Sequence, residues 1–259
     1  MYSIIENLTS LLIPFIAVFF FLFVERYVFG LSIQNKSRIN SILGLQIFNV
    51  ILNVFLSGLI LVPLVYYSSS LQIFSFANMN TPVYINLILS FLFLDLVSYW
   101  HHRIHHQIPI LWKLHRLHHT DKEVDALTTF FHHPGEIFSA FIFTIVFSVM
   151  FDVPLIAITS YVLIASIHAP FTHLKKLVSP NIDKFLKYIF VTPNYHLLHH
   201  SKKLNEGCSN YGVVFVFWDF IFGTYLPKDY ESLMQTKTGL EKDIHDKMSL
   251  LNFLLNPFK

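Results

Sequence analysis

The segment INLILSFLFLDLVSYWHHRIHH (Ile85–His106) decides how this chain is read. Up to Trp100 it carries one charge, Asp95, and it then places four histidines in six positions. The wider run Pro82–Trp100 approaches the length of about 20 apolar residues that a helix needs to cross a bilayer. An apolar rod that ends in imidazoles is the pattern from which the rest of the sequence can be read.

Working outward, Leu11–Gly30 and Ile42–Tyr66 are apolar runs on the N-terminal side, the first interrupted by Glu25 and Arg26 and the second bent near one end by Pro63. No basic region precedes Leu11 and no small-residue cleavage site follows, so this run reads as an anchor rather than a signal peptide. On the C-terminal side, Ile137–Phe151 and Pro154–Phe171 form two shorter runs joined by Asp152 and Val153, a tight hairpin or re-entrant pair. The expectation is an all-α membrane bundle of about four to five spans, over residues 11–30, 42–66, 82–100, 137–151 and 154–171. A histidine-rich cap (101–136 and 172–226) and a tail (227–259) complete a single domain over 1–259. In the tail, Met248–Phe258 is apolar and could dock on the membrane surface.

Composition agrees. Hydrophobic residues make up 54% of the 259 and charged residues 13%, about half the usual share for a soluble domain. A net charge of +2, spread rather than massed, excludes a nucleic-acid partner and favours a membrane surface. Cys208 stands alone, so disulfides, zinc ribbons and CxxC redox pairs are excluded. Basic residues set the orientation. Lys36, Arg38, Arg103, Lys113, Arg116, Lys122, Lys175, Lys176, Lys184 and Lys187 all fall in one set of connections, while 67–81 and 152–153 carry none. The histidine segments are thus expected on the cytosolic side of a multi-pass protein, with the N-terminus opposite.

Of 15 histidines, all but His245 lie between His101 and His200. Ten of them form three groups: His101, His102, His105 and His106; His115, His118 and His119; and His196, His199 and His200. The last two are the same string, HxxHH, about 80 residues apart. Residues three and four apart share a helix face with Cβ atoms about 5–6 Å apart, and two imidazoles so placed can reach one ion at roughly 2.0–2.1 Å. With His102 and His106 the boxes supply eight nitrogens, more than one ion needs. Hydrolysis at zinc would use fewer ligands and a glutamate base as in HExxH, which does not occur; a haem pair needs two histidines. Oxygen chemistry at two irons uses the whole set. A metal transporter or store is the reading of another class, but it would place ligands along a path through the spans.

The strings DLVSYWHHRIHH (Asp95–His106), LWKLHRLHHTDKEVDALTTFFHHPGE (Leu111–Glu136), VTPNYHLLHH (Val191–His200) and SNYGVVFVFWDFIFGTY (Ser209–Tyr225) closely resemble the sterol desaturase or fatty acid hydroxylase superfamily. The resemblance runs over about Leu87–Tyr225 and continues weakly into TGLEKDI (Thr238–Ile244). It implies a membrane-bound non-haem di-iron oxygenase with O2 as cosubstrate. Its HRxxH box selects His102 and His106 and demotes His101 and His105; its other boxes select His115, His118, His119, His196, His199 and His200. A further family histidine after the last span matches His173 best, His168 less well. His133 is a candidate ligand or supporting group. Glu136 and Asp95 are the candidate catalytic acids: Glu136 by accepting a ligand N–H, Asp95 because an acid within a span costs about 2.5–3.5 kcal/mol and must find a partner, Arg103 being one candidate. A purely structural bond for Asp95 stays open. Trp218, Asp219, Gly223 and Tyr225 match the closing motif, with Gly223 read as a turn. Phe131 and Lys175 depart from the family's arginine and asparagine at those places.

The implied reaction is hydroxylation of a lipid C–H bond, with desaturation on the same ligands as the alternative and ether-lipid cleavage third. No GxGxxG, haem-attachment motif or iron–sulfur cysteine set is present, so electrons come from a separate donor: a reductase, ferredoxin or cytochrome b5-like carrier. Lys175, Lys176, Lys202 and Lys203 offer a docking face for it. Zinc can replace iron in such imidazole sites after expression.

Overall fold

Each apolar run forms a helix, as the bilayer demands: with no water to bond the backbone, every N–H and C=O must be paired within the segment. The structure, a computed structural model, describes residues 2–31, 36–66, 71–240 and 250–255. The five runs are α1 (Tyr2–Phe23, ending in a π-helical turn, Val24–Val28), α2 (Lys36–Tyr66), α3 (Val83–Gln107), α5 (Pro134–Met150) and α6 (Leu155–Thr172). Between α3 and α5 lies the short helix α4 (Pro109–His115), and after α6 come α7 (Pro180–Leu186), α8 (Pro193–His199), α9 (Leu204–Gly207), α10 (Phe217–Ile221), α11 (Tyr230–Met234) and α12 (Leu250–Leu255). Among the described residues, extended pairing is limited to two isolated bridges, Phe190 with Phe215 and Ser201 with Thr238. His245, the part of TGLEKDI beyond Leu240 and residues 67–70 lie outside the described residues.

Among the described residues, three helices are long and apolar enough to cross a membrane: α2 over Lys36–Leu56, α3 and α6. α5 is apolar but has 17 residues, about 25 Å against a hydrocarbon core of about 30 Å. The outward faces fit lipid. α1 turns Val18 and Leu22 inward and leaves Leu12, Ile16, Phe19, Phe20 and Phe23 exposed, and α2 does the same with Ile47, Ile51 and Phe55. Apolar surface on this scale is not left bare in water.

The helix ends share one pole. The last turn of α1, the first of α2, the last of α3, the first of α5 and the last of α6 all reach the cap, where buried acids fasten them. Glu25 accepts from the backbone N–H of Lys175 (2.6 Å) and of Ala126 (3.4 Å). Arg38, expected only as a topological marker, donates to Asp125 (2.9 Å) and, through Nε, to Asp121 (3.1 Å). Asp219 accepts from the N–H of Tyr211 (2.8 Å) and Gly212 (2.7 Å) and from the hydroxyls of Thr224 (2.6 Å) and Tyr195. Gly223, at φ +66°, makes the left-handed turn that returns Thr224 to it.

Of the apolar tail stretch Met248–Phe258, the described residues are 250–255, and there α12 turns Phe253 (2% exposed) into the core beside Val18, Leu45 and Phe131.

Candidate metal centre

α3 does not stop at Trp100. It carries the first histidine box onward to Gln107, so His102 and His106 stand one turn apart on the end of a span, their ring centroids separated by 5.3 Å. Ile108 is extended before Pro109, which breaks the helix and opens α4 at its first position. α4 brings back His115, and a 3-10 turn over residues 118–120 adds His118 and His119. α8 starts at Thr192, whose hydroxyl accepts from the Tyr195 N–H (3.3 Å), and presents His196, His199 and, at its C-cap, His200.

These elements converge into two pockets. His102, His106, His115, His119 and His199 bring one nitrogen each to within 4.8 Å of one another, and so do His118, His173, His196 and His200. The near neighbours are Nε2 atoms: 3.1 Å between His115 and His119, 3.1 Å between His118 and His173, 3.0 Å between His173 and His196, and 3.2 Å between His196 and His200. Such separations are the edges of a polyhedron around an ion at roughly 2.0–2.1 Å. Four rings have their tautomer set from behind. Nδ1–H of His102 donates to the Tyr211 carbonyl (2.9 Å), of His115 to Glu136 (2.7 Å), of His173 to the Ala169 carbonyl (2.7 Å) and of His199 to the Ser209 carbonyl (2.8 Å). Each then offers an Nε2 lone pair to the pocket.

The donor chemistry fits metal. Among the described residues, the buried Nε2 atoms of His106 and His199 have no hydrogen-bond partner, an arrangement costing about 1–3 kcal/mol per group unless something takes the lone pair. Burial, reinforced by neighbouring rings, holds His118, His119, His196 and His200 far below the usual imidazole range. Burial likewise takes His173 to about 4 and His199 to about 3. The rings are neutral, the form that coordinates.

The remaining sequence candidates separate cleanly. Glu136 Oε1 accepts from His115 and also from Nδ1 of His132 (2.9 Å). It stands behind the ligands and orients them. His173 is in the second pocket, while His168 is in neither. His101 and His105 turn away to Ser139 Oγ (2.9 and 3.0 Å).

Two expectations are corrected. His133 caps α5: its Nδ1 accepts from the Gly135 N–H (3.0 Å) and its Nε2–H donates to the Leu254 carbonyl (3.1 Å), leaving no nitrogen for a metal. Asp95 lies in neither pocket. Fully buried, it accepts from the N–H of Val214 (3.1 Å) and Phe215 (3.2 Å), from Trp218 Nε1 (2.9 Å) and from the Tyr161 hydroxyl (3.2 Å), fastening α3 to α6 and the closing motif. Arg103 is not its partner and instead reaches the Tyr99 hydroxyl (3.2 Å) and lies over Trp100.

The residue missed is His132. Its ring stacks on His118 (centroids 4.1 Å, 14°), and with His115 and Glu136 it forms a third close group. The signal was present. In HHP the histidine next to proline sits at the cap position, which leaves its neighbour to face the pocket.

Fold and site together define a class: a membrane-helix protein with a buried polyhistidine centre at one pole. The chain belongs to the fatty acid hydroxylase family, whose model matches residues 87–224. It is 30% identical over 142 residues to alkylglycerol monooxygenase of Danio rerio, covering 54% of this chain and 30% of that protein. It is 32% identical over 153 residues to ornithine lipid hydroxylase OlsE of Rhizobium tropici (56% and 43%), and 28% identical over 151 residues to methylsterol monooxygenase 2-2 of Arabidopsis thaliana (58% and 55%). The matched region thus spans between a third and about half of the length of these relatives. No solved structure matches.

Proposed function

We propose that this chain is an O2-dependent membrane oxygenase that hydroxylates a C–H bond of a lipid at two iron ions. The observation that carries the reading is the pair of adjacent pockets, five histidines in one and four in the other, with the Nε2 atoms of His106 and His199 unsatisfied in the first and the Nε2 atoms of the second about 3 Å apart. The first ion falls to His102, His106, His115, His119 and His199, the second to His118, His173, His196 and His200. Iron held there supplies oxygen activation strong enough for an unactivated carbon, chemistry that no side chain offers. The chain's own part is to bring nine rings together, to keep His118, His119, His173, His196, His199 and His200 neutral by burial, and to hold His115 and His132 on one carboxylate.

Lipid as substrate rests on the relatives, which are named for alkylglycerol, ornithine lipid and methylsterol, and on the lipid-facing bundle beneath the cap. The lysines and arginines of the connections beside the cap support a cytosolic placement for it. Electrons come from a separate donor: Lys202 and Lys203 are exposed within a few residues of His199 and His200, Lys203 lying 3.5 Å from Glu206, while Lys175 is paired with Glu123 (2.8 Å).

The test is metal and product analysis on the full chain loaded anaerobically with iron. The expected result is two irons per chain and an oxygenated lipid when O2 and reductant are added. Full activity without transition metal, or metal flux across vesicles with no lipid oxidised, overturns the reading.

A further inference from the structure

The cap does not sit wholly above the spans. Asp95 lies near the midpoint of α3, seven residues and about 10 Å of helix rise before His102. Two of the N–H groups it holds, those of Val214 and Phe215, belong to the cap. The segment around them therefore reaches down beside α3 to mid-span depth. Residues 189–191 run alongside it. The Val191 N–H donates to the Val214 carbonyl (3.0 Å), the Val216 N–H donates to the Ile189 carbonyl (3.0 Å), and the rings of Phe190 and Phe215 stack at 5.6 Å. From α6, His168, the histidine in neither pocket, bonds the backbone of Val191.

The outer edge of this dipping segment is apolar and bare. Tyr188, Ile189 and Phe190 are exposed, and so are Phe220 and Ile221, which follow Trp218, another donor to Asp95. The edge is continuous with the outward faces of the spans: a cleft of about 420 Å³ between α3 and α6 is lined by Ile88, Ile164, Phe190 and Phe215, and Ile88 and Ile164 are exposed as well. An apolar surface of this extent is not left to water. The backbone meets the condition for lipid. The N–H groups of Ile189 and Phe190 donate to the Leu186 carbonyl (2.9 and 2.8 Å), so with Val191 every N–H of residues 189–191 is paired within the protein.

Lysines edge the same segment. Lys184 Nζ lies 4.9 Å from the centroid of the exposed Phe185 ring, and Lys187 Nζ lies 5.6 Å from that of Tyr188. An ammonium over an outward-facing ring is how lysine keeps its charge at a polar boundary while its stem lies on apolar surface. The neighbouring acid, Asp183, is engaged by the Thr192 hydroxyl (2.6 Å). The local charge is thus positive, the complement of an anionic lipid headgroup.

We infer that residues 180–190 and 213–222 form a lip of the cap sunk into the adjoining bilayer leaflet, with Tyr188, Ile189, Phe190 and Ile221 among acyl chains and Lys184 and Lys187 among anionic headgroups. The cap is then a membrane-inserted body on one flank and an aqueous one on the other. This goes beyond the oxygenase reading and does not depend on it.

The test uses the full chain, on a Cys208→Ser background, in nanodiscs of phosphatidylcholine and phosphatidylserine. Nitroxide is attached to Ile189→Cys or Ile221→Cys in the lip, to Leu204→Cys or Met234→Cys at exposed positions elsewhere in the cap, and to Val162→Cys on the outward face of α6. Accessibility is then measured to O2, which concentrates in hydrocarbon, and to a water-soluble nickel chelate. Positions 189 and 221 should match 162 and favour O2, whereas 204 and 234 should favour nickel. A fluorophore on Tyr188→Cys should be quenched more by brominated phosphatidylserine than by brominated phosphatidylcholine. Lys184→Gln and Lys187→Gln should each lower that preference by up to about fivefold. Nickel access at 189 and 221 equal to that at 204 would overturn the inference. So would exclusion of both reagents there, the mark of a second copy or another protein covering the lip. Equal quenching by the two lipids would overturn the headgroup assignment. Neither readout needs iron or turnover, so the metal and product test stands or falls separately.

Discussion

The two histidine pockets share a wall and a chemistry, yet they are held in place differently. In the first, three of the five rings are fixed from behind: His102 by the Tyr211 carbonyl, His199 by the Ser209 carbonyl and His115 by Glu136. In the second, His173 alone of the four has such a bond, and the buried Nδ1 atoms of His118, His196 and His200 have no partner among the described residues. His118 is steadied instead by the face of His132. A ring with a fixed tautomer and orientation loses little on coordination, whereas a ring without one must give up freedom. Tightness of metal binding should therefore differ between two sites of nearly equal ligand number.

The largest effect that could break this comparison comes from His199→Ala. It removes a fully buried ligand of the stiffer pocket, and metal analysis should show loss of the first ion together with all product. A variant that keeps two irons would mean the pockets are wrongly divided. His173→Ala should act more narrowly, lowering iron from two per chain to about one and leaving the first site filled. In the unmodified protein, a chelator titration should remove the second ion first, and simultaneous release would erase the proposed difference. Glu136→Ala should weaken metal affinity or activity about 10- to 100-fold, the usual cost of losing a group that orients a ligand. Glu136→Gln, which still accepts an N–H, should recover part of it.

The smallest effect is in the pH response of metal-stripped protein. Burial depresses His199 to about 3 and His173 to about 4, against about 6.5 in the unfolded chain. Between those values the unfolded state binds the extra proton, so stability is complete above about pH 6.5 and is lost as pH falls toward 4 and then 3. The loss should be about 1 kcal/mol per pH unit for each such imidazole, and denaturant titrations at stepped pH would read it. His173→Gln should remove one imidazole's share of the slope between about pH 6.5 and 4, and His199→Gln one share between about pH 6.5 and 3, the other buried rings keeping the remainder. A flat profile in the stripped wild type would show that the rings are open to water.

Much of this was legible in the sequence because it is local. Apolar runs and HxxHH spacings are properties of short windows, so the helices and the six histidines of the two HxxHH strings could be read directly, while the resemblance selected His102 and His106 from the first box and added His173. What could not be read depends on distant partners. Asp95 looked like a candidate acid because its four donors lie 66 to 123 positions away. Arg38 looked like a topological marker, and its burial against Asp121 and Asp125 becomes visible only once the cap folds onto α2. Glu25 looked like an interruption of the first apolar run, yet it holds the backbone on both sides of the cap. His132 and His133 are identical letters side by side, and only the capping geometry tells them apart.

The contact between His133 and the Leu254 carbonyl has a practical side. With Phe253 wedged beside Phe131, the far end of the described chain acts as a keystone for the start of α5, two positions from the carboxylate that steadies His115. Trimming the protein before Leu255, or pulling on that end with a short rigid fusion, would loosen the metal pocket from a place that no inspection of its ligands would suggest.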